Sequence, residues 1–202
     1  MEKFDIEIRG KRQMDKYQKS LNIYELGRNV FIQNNWYEAR KYFDEAIELF
    51  LELLRGDGYL LSRDSEDNVL NGLSLAYYLR SCCNIEIAGR GDAALKDCIS
   101  ALEADGQRLL RNMVIKANVS DFLGYALEFF YRDGDYKRAS VVCDYIERFI
   151  DPSIVHERHY KMIREQINAG SEFRAIVNES IKNYRRVHAV ITALNVINNF
   201  LK

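Results

Sequence analysis

Few side chains in this sequence are spaced to do chemistry. His156 and His159, two of the three histidines, stand three residues apart on one helical face, so both could approach a metal beside Asp151 or Glu157. No third ligand is in view at metal spacing, and the pair reads better as exposed imidazoles on a charged helix. Cys82 and Cys83 are adjacent, which turns them about 100° apart on a helix and away from a shared redox step. They read as one thiol filling a packing slot, Cys82, and one facing a groove, Cys83. Asp133-Gly134-Asp135 opens like a calcium loop, but Lys137 stands where an oxygen ligand is needed and no glutamate closes twelve residues. Arg55-Gly56-Asp57 and Arg90-Gly91-Asp92 spell an integrin-type tripeptide and read as turn residues. Phosphate-cradling glycine loops, G-x-S-x-G elbows and HExxH helices do not occur. The expectation is a protein without catalytic residues, metal or cofactor.

Composition narrows the alternatives. The chain has 202 residues, 48% hydrophobic and 29% charged, which excludes a disordered or collagen-like class. Its 29 Lys+Arg against 30 Asp+Glu leave a net charge of −1, too little basic surplus for sequence-independent attraction to nucleic acid. The basic stretches at 108–116 and 182–186 read as solvated helix faces. No run of 18 apolar residues occurs and the first twenty residues alternate charges, so membrane insertion is not expected and the cytoplasm is the expected location. Cys82, Cys83, Cys98 and Cys143 lack CxxC spacing and read as reduced thiols.

A single proline implies long uninterrupted helices. Apolar residues Tyr42, Phe43, Ala46, Ile47, Phe50, Leu53 and Leu54 recur at steps of three and four, placing one helical face on a core. Further stripes run from Tyr136 to Phe149 and from Val187 to Leu201. Asn34-Asn35, the Gly89–Asp92 segment, Asp133-Gly134-Asp135 and Asp151-Pro152 are turn and cap signals, and the segment 55–67 is the expected long loop. The prediction is all-α, with nine helices at 12–33, 36–54, 66–88, 92–104, 107–132, 135–149, 153–168, 172–185 and 187–201.

Segments 27–47, 82–102 and 127–147 align on their turns. In each, a small or aliphatic residue precedes a tight turn and an alanine follows twelve residues on (Ala39, Ala94, Ala139), with Phe43, Cys98 or Cys143 four positions further. The alanine lets two helices approach closely, and Trp36 or Tyr136 before it plugs the junction. With Gly27, Trp36, Ala39, Phe43 and Ala46 on motif, the pattern resembles the tetratricopeptide repeat. The alanine spacings of 55 and 45 residues exceed that family's usual repeat of about 34.

The resemblance implies stacked antiparallel helix hairpins, an α-solenoid. Residues 1–19 would form an N-terminal arm, 20–150 three hairpins, and 151–202 a C-terminal helical segment that caps the stack or forms an interface. It also implies a concave groove lined by the first helices, with Tyr24, Arg28, Phe31, Arg80, Cys83, Glu86, Asp121, Tyr125, Glu128 and Tyr131 facing a partner's peptide or helix. Leu21, Ala76 and Leu79 share that stripe and read equally well as core. At the positions of the family's carboxylate clamp stand Tyr24, Arg28, Arg80, Asp121 and Tyr125, none of them the clamp residue, so an apolar or mixed-charge peptide is the expected occupant. The function implied is a non-enzymatic scaffold or adaptor. The alternatives are a chaperone for an aggregation-prone partner, and a small regulatory or metal-dependent enzymatic domain built on His156 and His159. The stripe at 187–201 leaves capping and a homodimer or larger assembly both open.

Overall fold

The computed structural model describes residues 2–55, 63–150 and 157–169. It is all-helical there: α1 (Glu2–Ile32), α2 (Trp36–Arg55), α3 (Arg63–Glu86), α4 (Gly91–Leu109), α5 (Met113–Asp133), α6 (Tyr136–Phe149) and α7 (Glu157–Ala169). The described residues contain no strand, and none of their helices is long and apolar enough to cross a membrane. The helices expected at 172–185 and 187–201 lie outside the described residues, as do the 56–62 part of the expected loop and His156.

Two boundaries moved. Helix α1 begins at Glu2, so the arm expected at 1–19 is continuous with the first helix. The break expected at Asp105 is a kink inside α4, where Asp105 leaves helical geometry at φ −158, ψ 57. Its carboxylate accepts from the Arg108 amide at 3.3 Å, so the residue caps a further turn instead of ending the helix. The turn to α5 comes later, where Asn112 Oδ1 accepts from the Val114 amide at 3.0 Å.

The chain forms two compact units, one reaching to Val119 and the other starting at Ser120. In the first, α1 pairs with α2, α2 packs on α3, and α3 pairs with α4. Asn34, at φ 61 in the left-handed region that asparagine tolerates, reverses the chain between α1 and α2. The Asn35 amide closes the turn on the Val30 carbonyl at 3.3 Å. Two glycines mark where helices nearly touch. A Cβ on Gly27 would lie 2.9 Å from the Phe43 ring, and one on Gly72 would lie 2.6 Å from the Phe50 ring. Ile23, Ala46, Ile47, Phe50, Leu53, Val69, Leu73 and Ala76 form the larger core cluster, and Ala39, Phe43 and Cys83 a second.

Helix α3 is held to its neighbours by polar contacts as well. Ser74 donates to the Ala101 carbonyl at 2.7 Å and Ser81 to the Ala94 carbonyl at 2.9 Å, which satisfies two buried hydroxyls.

In the second unit, Gly134 at φ 80 and the Asp135 amide, donating to the Phe130 carbonyl at 2.9 Å, turn α5 into α6. Asp135 then caps α6 by accepting from the Arg138 amide at 3.0 Å, and that hydrogen bond holds its carboxyl below the usual range. The Arg138 guanidinium lies 4.4 Å above the Phe130 ring. Helices α6 and α7 are tied by Arg164, which donates to Glu147 at 3.0 Å and to Asp144 at 2.9 Å, while Tyr160 donates to Glu147.

The alanines behave as their spacing predicts: Ala39, Ala94 and Ala139 are all fully buried. Trp36 meets Phe31 edge-on at 5.0 Å, and Tyr136 meets Tyr131 at 5.7 Å, so each aromatic fills the junction expected of it.

Candidate functional site

Among the described residues no group of three or more His, Cys, Asp or Glu is placed to hold a metal ion. The cysteines are packing residues. Cys83, Cys98 and Cys143 are buried, and burial pushes each thiol up to about 12. Cys82 is half-buried and its thiol is also raised by burial. The roles expected of the adjacent pair are therefore exchanged: Cys83 packs with Ala39 and Phe43, and Cys82 sits nearer the surface. A thiolate is the reactive form, so at about pH 8 a disulfide-exchange reagent should label Cys83, Cys98 and Cys143 slowly in the folded chain. The same thiols should react promptly in guanidinium chloride. Because the unfolded thiols ionise near pH 8.5 and the folded ones stay protonated, stability should fall as pH rises through that value. Chemical denaturation at a series of alkaline pH values measures the fall.

A shallow depression at the start of α2 is lined by Asn35, Tyr37, Glu38, Lys41, Tyr42 and Glu45. Its polar groups serve the helix end: Asn35 donates to Glu38 at 2.7 Å.

The expected groove residues divide into three kinds of environment. On α1, Arg28 is exposed and pairs locally with Glu25 at 3.1 Å. Tyr24 and Phe31 are half-buried, with their rings 6.1 Å and 6.4 Å from that of Phe43. They are the rim of the core as much as a surface, and desolvation raises the Tyr24 hydroxyl above its ordinary pKa.

On α3 the groove expectation needs correction at two of three positions. Cys83 is fully buried against α2. Arg80 is committed inside the fold: it donates to Asp97 of α4 at 2.9 and 2.6 Å and to Asp44 of α2 at 2.7 Å. Asn84 adds a hydrogen bond to Asp97 at 2.8 Å. The guanidinium thus cannot also receive a partner's carboxylate without giving up a planar, two-pronged internal contact. Glu86, at the end of α3, is exposed, while Ala76 is core and Leu79 half-buried.

On α5, Tyr131 is 1% exposed and packs edge-on against Tyr136, so it is a core ring. Asp121 is exposed, Glu128 half-buried, and Tyr125 72% exposed. Phe129, absent from the expected stripe, is 63% exposed. Residues 121, 125 and 129 follow at steps of four and so share one side of the helix. Leu123, Leu127 and Phe130 are buried on the opposite side. Two aromatics one turn apart, pointing away from the core of their own unit, are an unusual use of apolar surface. The signal for Phe129 was its position four after Tyr125. The consecutive rings Phe129, Phe130 and Tyr131 offer three candidates for that role.

The exposed side of α5 presents the Tyr125 and Phe129 rings. Its charges are Asp121, Glu128 and Arg132, around an aromatic pair that can anchor an apolar side chain. No known protein family matches the chain, and neither the curated proteins nor the solved structures yield a significant match.

Proposed function

We propose that this chain is a non-enzymatic adaptor of stacked helix hairpins, resembling a tetratricopeptide-repeat protein, that holds a peptide or helix of a partner protein. The observation that carries the reading is the Tyr125–Phe129 pair, two residues 72% and 63% exposed on the side of α5 opposite its core residues. Aromatic side chains supply large contact area with only two rotatable bonds to order, which suits them to interface anchors. The hairpin reading is supported by the three buried alanines and the two plugged junctions.

A photo-crosslinking residue in place of Tyr125 tests it. In native lysate the probe at 125 should give discrete protein adducts that the same probe at exposed Lys41 does not give. Phe129→Ser should abolish those adducts while the melting temperature stays within about 2 °C, because a surface substitution changes stability by less than roughly 0.5 kcal/mol. Identical adducts at 125 and 41, or adducts indifferent to Phe129→Ser, would remove the reading.

A further inference from the structure

We propose that the Tyr125–Phe129 side of α5 binds the same side of α5 in a second copy of this chain, the two helices running antiparallel about a twofold axis between positions 126 and 127. The proposal rests on this side of α5 being an interaction surface, as in the adaptor reading, and names its occupant.

The order of charges supplies the first argument. Asp121 and Arg132 are both exposed, and neither is engaged in an ion pair among the described residues. Their separation is close to three helical turns, roughly 16 Å along the axis, so both project from one side of α5. A second copy laid antiparallel sets Asp121 against the partner's Arg132 and Arg132 against the partner's Asp121, so one contact is made twice. That is the self-complementarity a twofold interface requires. A parallel copy in register would set like charges together and is disfavoured.

The position of the rings supplies the second. Tyr125 and Phe129 lie midway between the two charges, so the same register brings the rings of both copies to the centre of the contact. Residues 121, 125, 128 and 132 follow at steps of four, three and four, the seam spacing of paired helices. Half-buried Glu128 then faces the partner's Tyr125, whose hydroxyl is a hydrogen-bond donor. Rings at the centre supply affinity, while exposed ion pairs at the ends add little and fix orientation. A purely apolar peptide would cover the rings and leave both end charges unanswered. One helix on one helix is a small contact, so the dimer forms only as concentration rises.

Sedimentation velocity of the purified full chain at a series of concentrations tests this, with a monomer–dimer equilibrium as the expected result. Asp121→Arg and Arg132→Asp should each raise the dissociation constant at least about 10-fold, because each sets like charges at both ends of the seam. Mixed together, the two variant proteins should associate about as tightly as the parent does with itself, since each answers the other's reversed charge. Should a single variant unfold, the chain carrying both reversals decides: association at the parent's strength supports the proposal and its absence overturns it. Single reversals that leave association unchanged overturn it, as does a mixture that associates no better than either variant alone. A dimer that survives Tyr125→Ser with Phe129→Ser uses another surface and equally ends the proposal. A chain that is monomeric at every concentration and still gives lysate adducts from position 125 removes the dimer and leaves the adaptor standing.

Discussion

Arg80→Ala should lower the unfolding free energy by about 3 kcal/mol and the melting temperature by roughly 10 °C. Three helices lose a shared tie at once, because this guanidinium binds Asp97 on α4 through two nitrogens and Asp44 on α2 through a third. The larger cost is what stays behind. Asp97 has only 6% of its side chain in water, so after truncation its carboxylate keeps the Asn84 hydrogen bond and little else. The expected loss sits at the low end of the range for a broken buried pair because Arg80 itself is 19% exposed and Asp44 34%, which admits water. Adding Asp97→Asn should recover part of the loss by removing the stranded charge, and Arg80→Lys should recover less than a full pair because an ammonium cannot make the two-pronged contact. Urea denaturation of the four proteins measures all of this. A loss under about 1 kcal/mol for Arg80→Ala would mean that the carboxylates are solvated in the folded chain.

Phe43→Ala should cost about 3–5 kcal/mol, the range for deleting a large buried ring. Phe43 is fully buried and is the common neighbour of Tyr24 and Phe31, and its ring fills the space above Gly27 that a Cβ would occupy. Phe43→Leu keeps most of the volume and should cost less than about 1.5 kcal/mol. The same geometry revises what Tyr24→Ala with Phe31→Ala would do. From the sequence these rings belong to a groove, and their loss would leave the fold intact. Packed against Phe43, tilted in the case of Tyr24 and edge-on in that of Phe31, they instead seal it from water, so the double variant should lower the melting temperature measurably before any question of binding arises.

How far the sequence reaches can be judged residue by residue. Helix α2 was expected at 36–54 and runs Trp36–Arg55, and α6 was expected at 135–149 and runs Tyr136–Phe149. Both have strong apolar periodicity and turn residues at their starts, so local preference and tertiary packing agree there. Asp105 shows where local signals mislead. Aspartate with a following glycine reads as a stop, yet the turn after it is recovered as helix because Leu109 is buried and holds that turn in place.

Side-chain direction was harder to read. Spacing puts Cys82 and Cys83 on a helix but does not say which of two neighbours meets Phe43. Among Phe129, Phe130 and Tyr131 it does not say which ring stays in water. The repeat pattern places Arg80 in a groove and gives no sign of its internal pairing, because its two carboxylates, Asp44 and Asp97, lie 36 and 17 residues away in sequence.

The sequence by itself determined the all-helical class of the described residues, the extents of α2 and α6 and the points of closest approach, since helical periodicity, turn residues and small side chains act over a few neighbouring positions. Only the tertiary structure decided the rotation of each helix about its axis, and with it the burial of Cys83 and Tyr131, the internal pairing of Arg80 and the exposure of Tyr125 and Phe129. Rotation is set by long-range packing, where a turn of 100° exchanges core for surface and no local pattern records which was chosen.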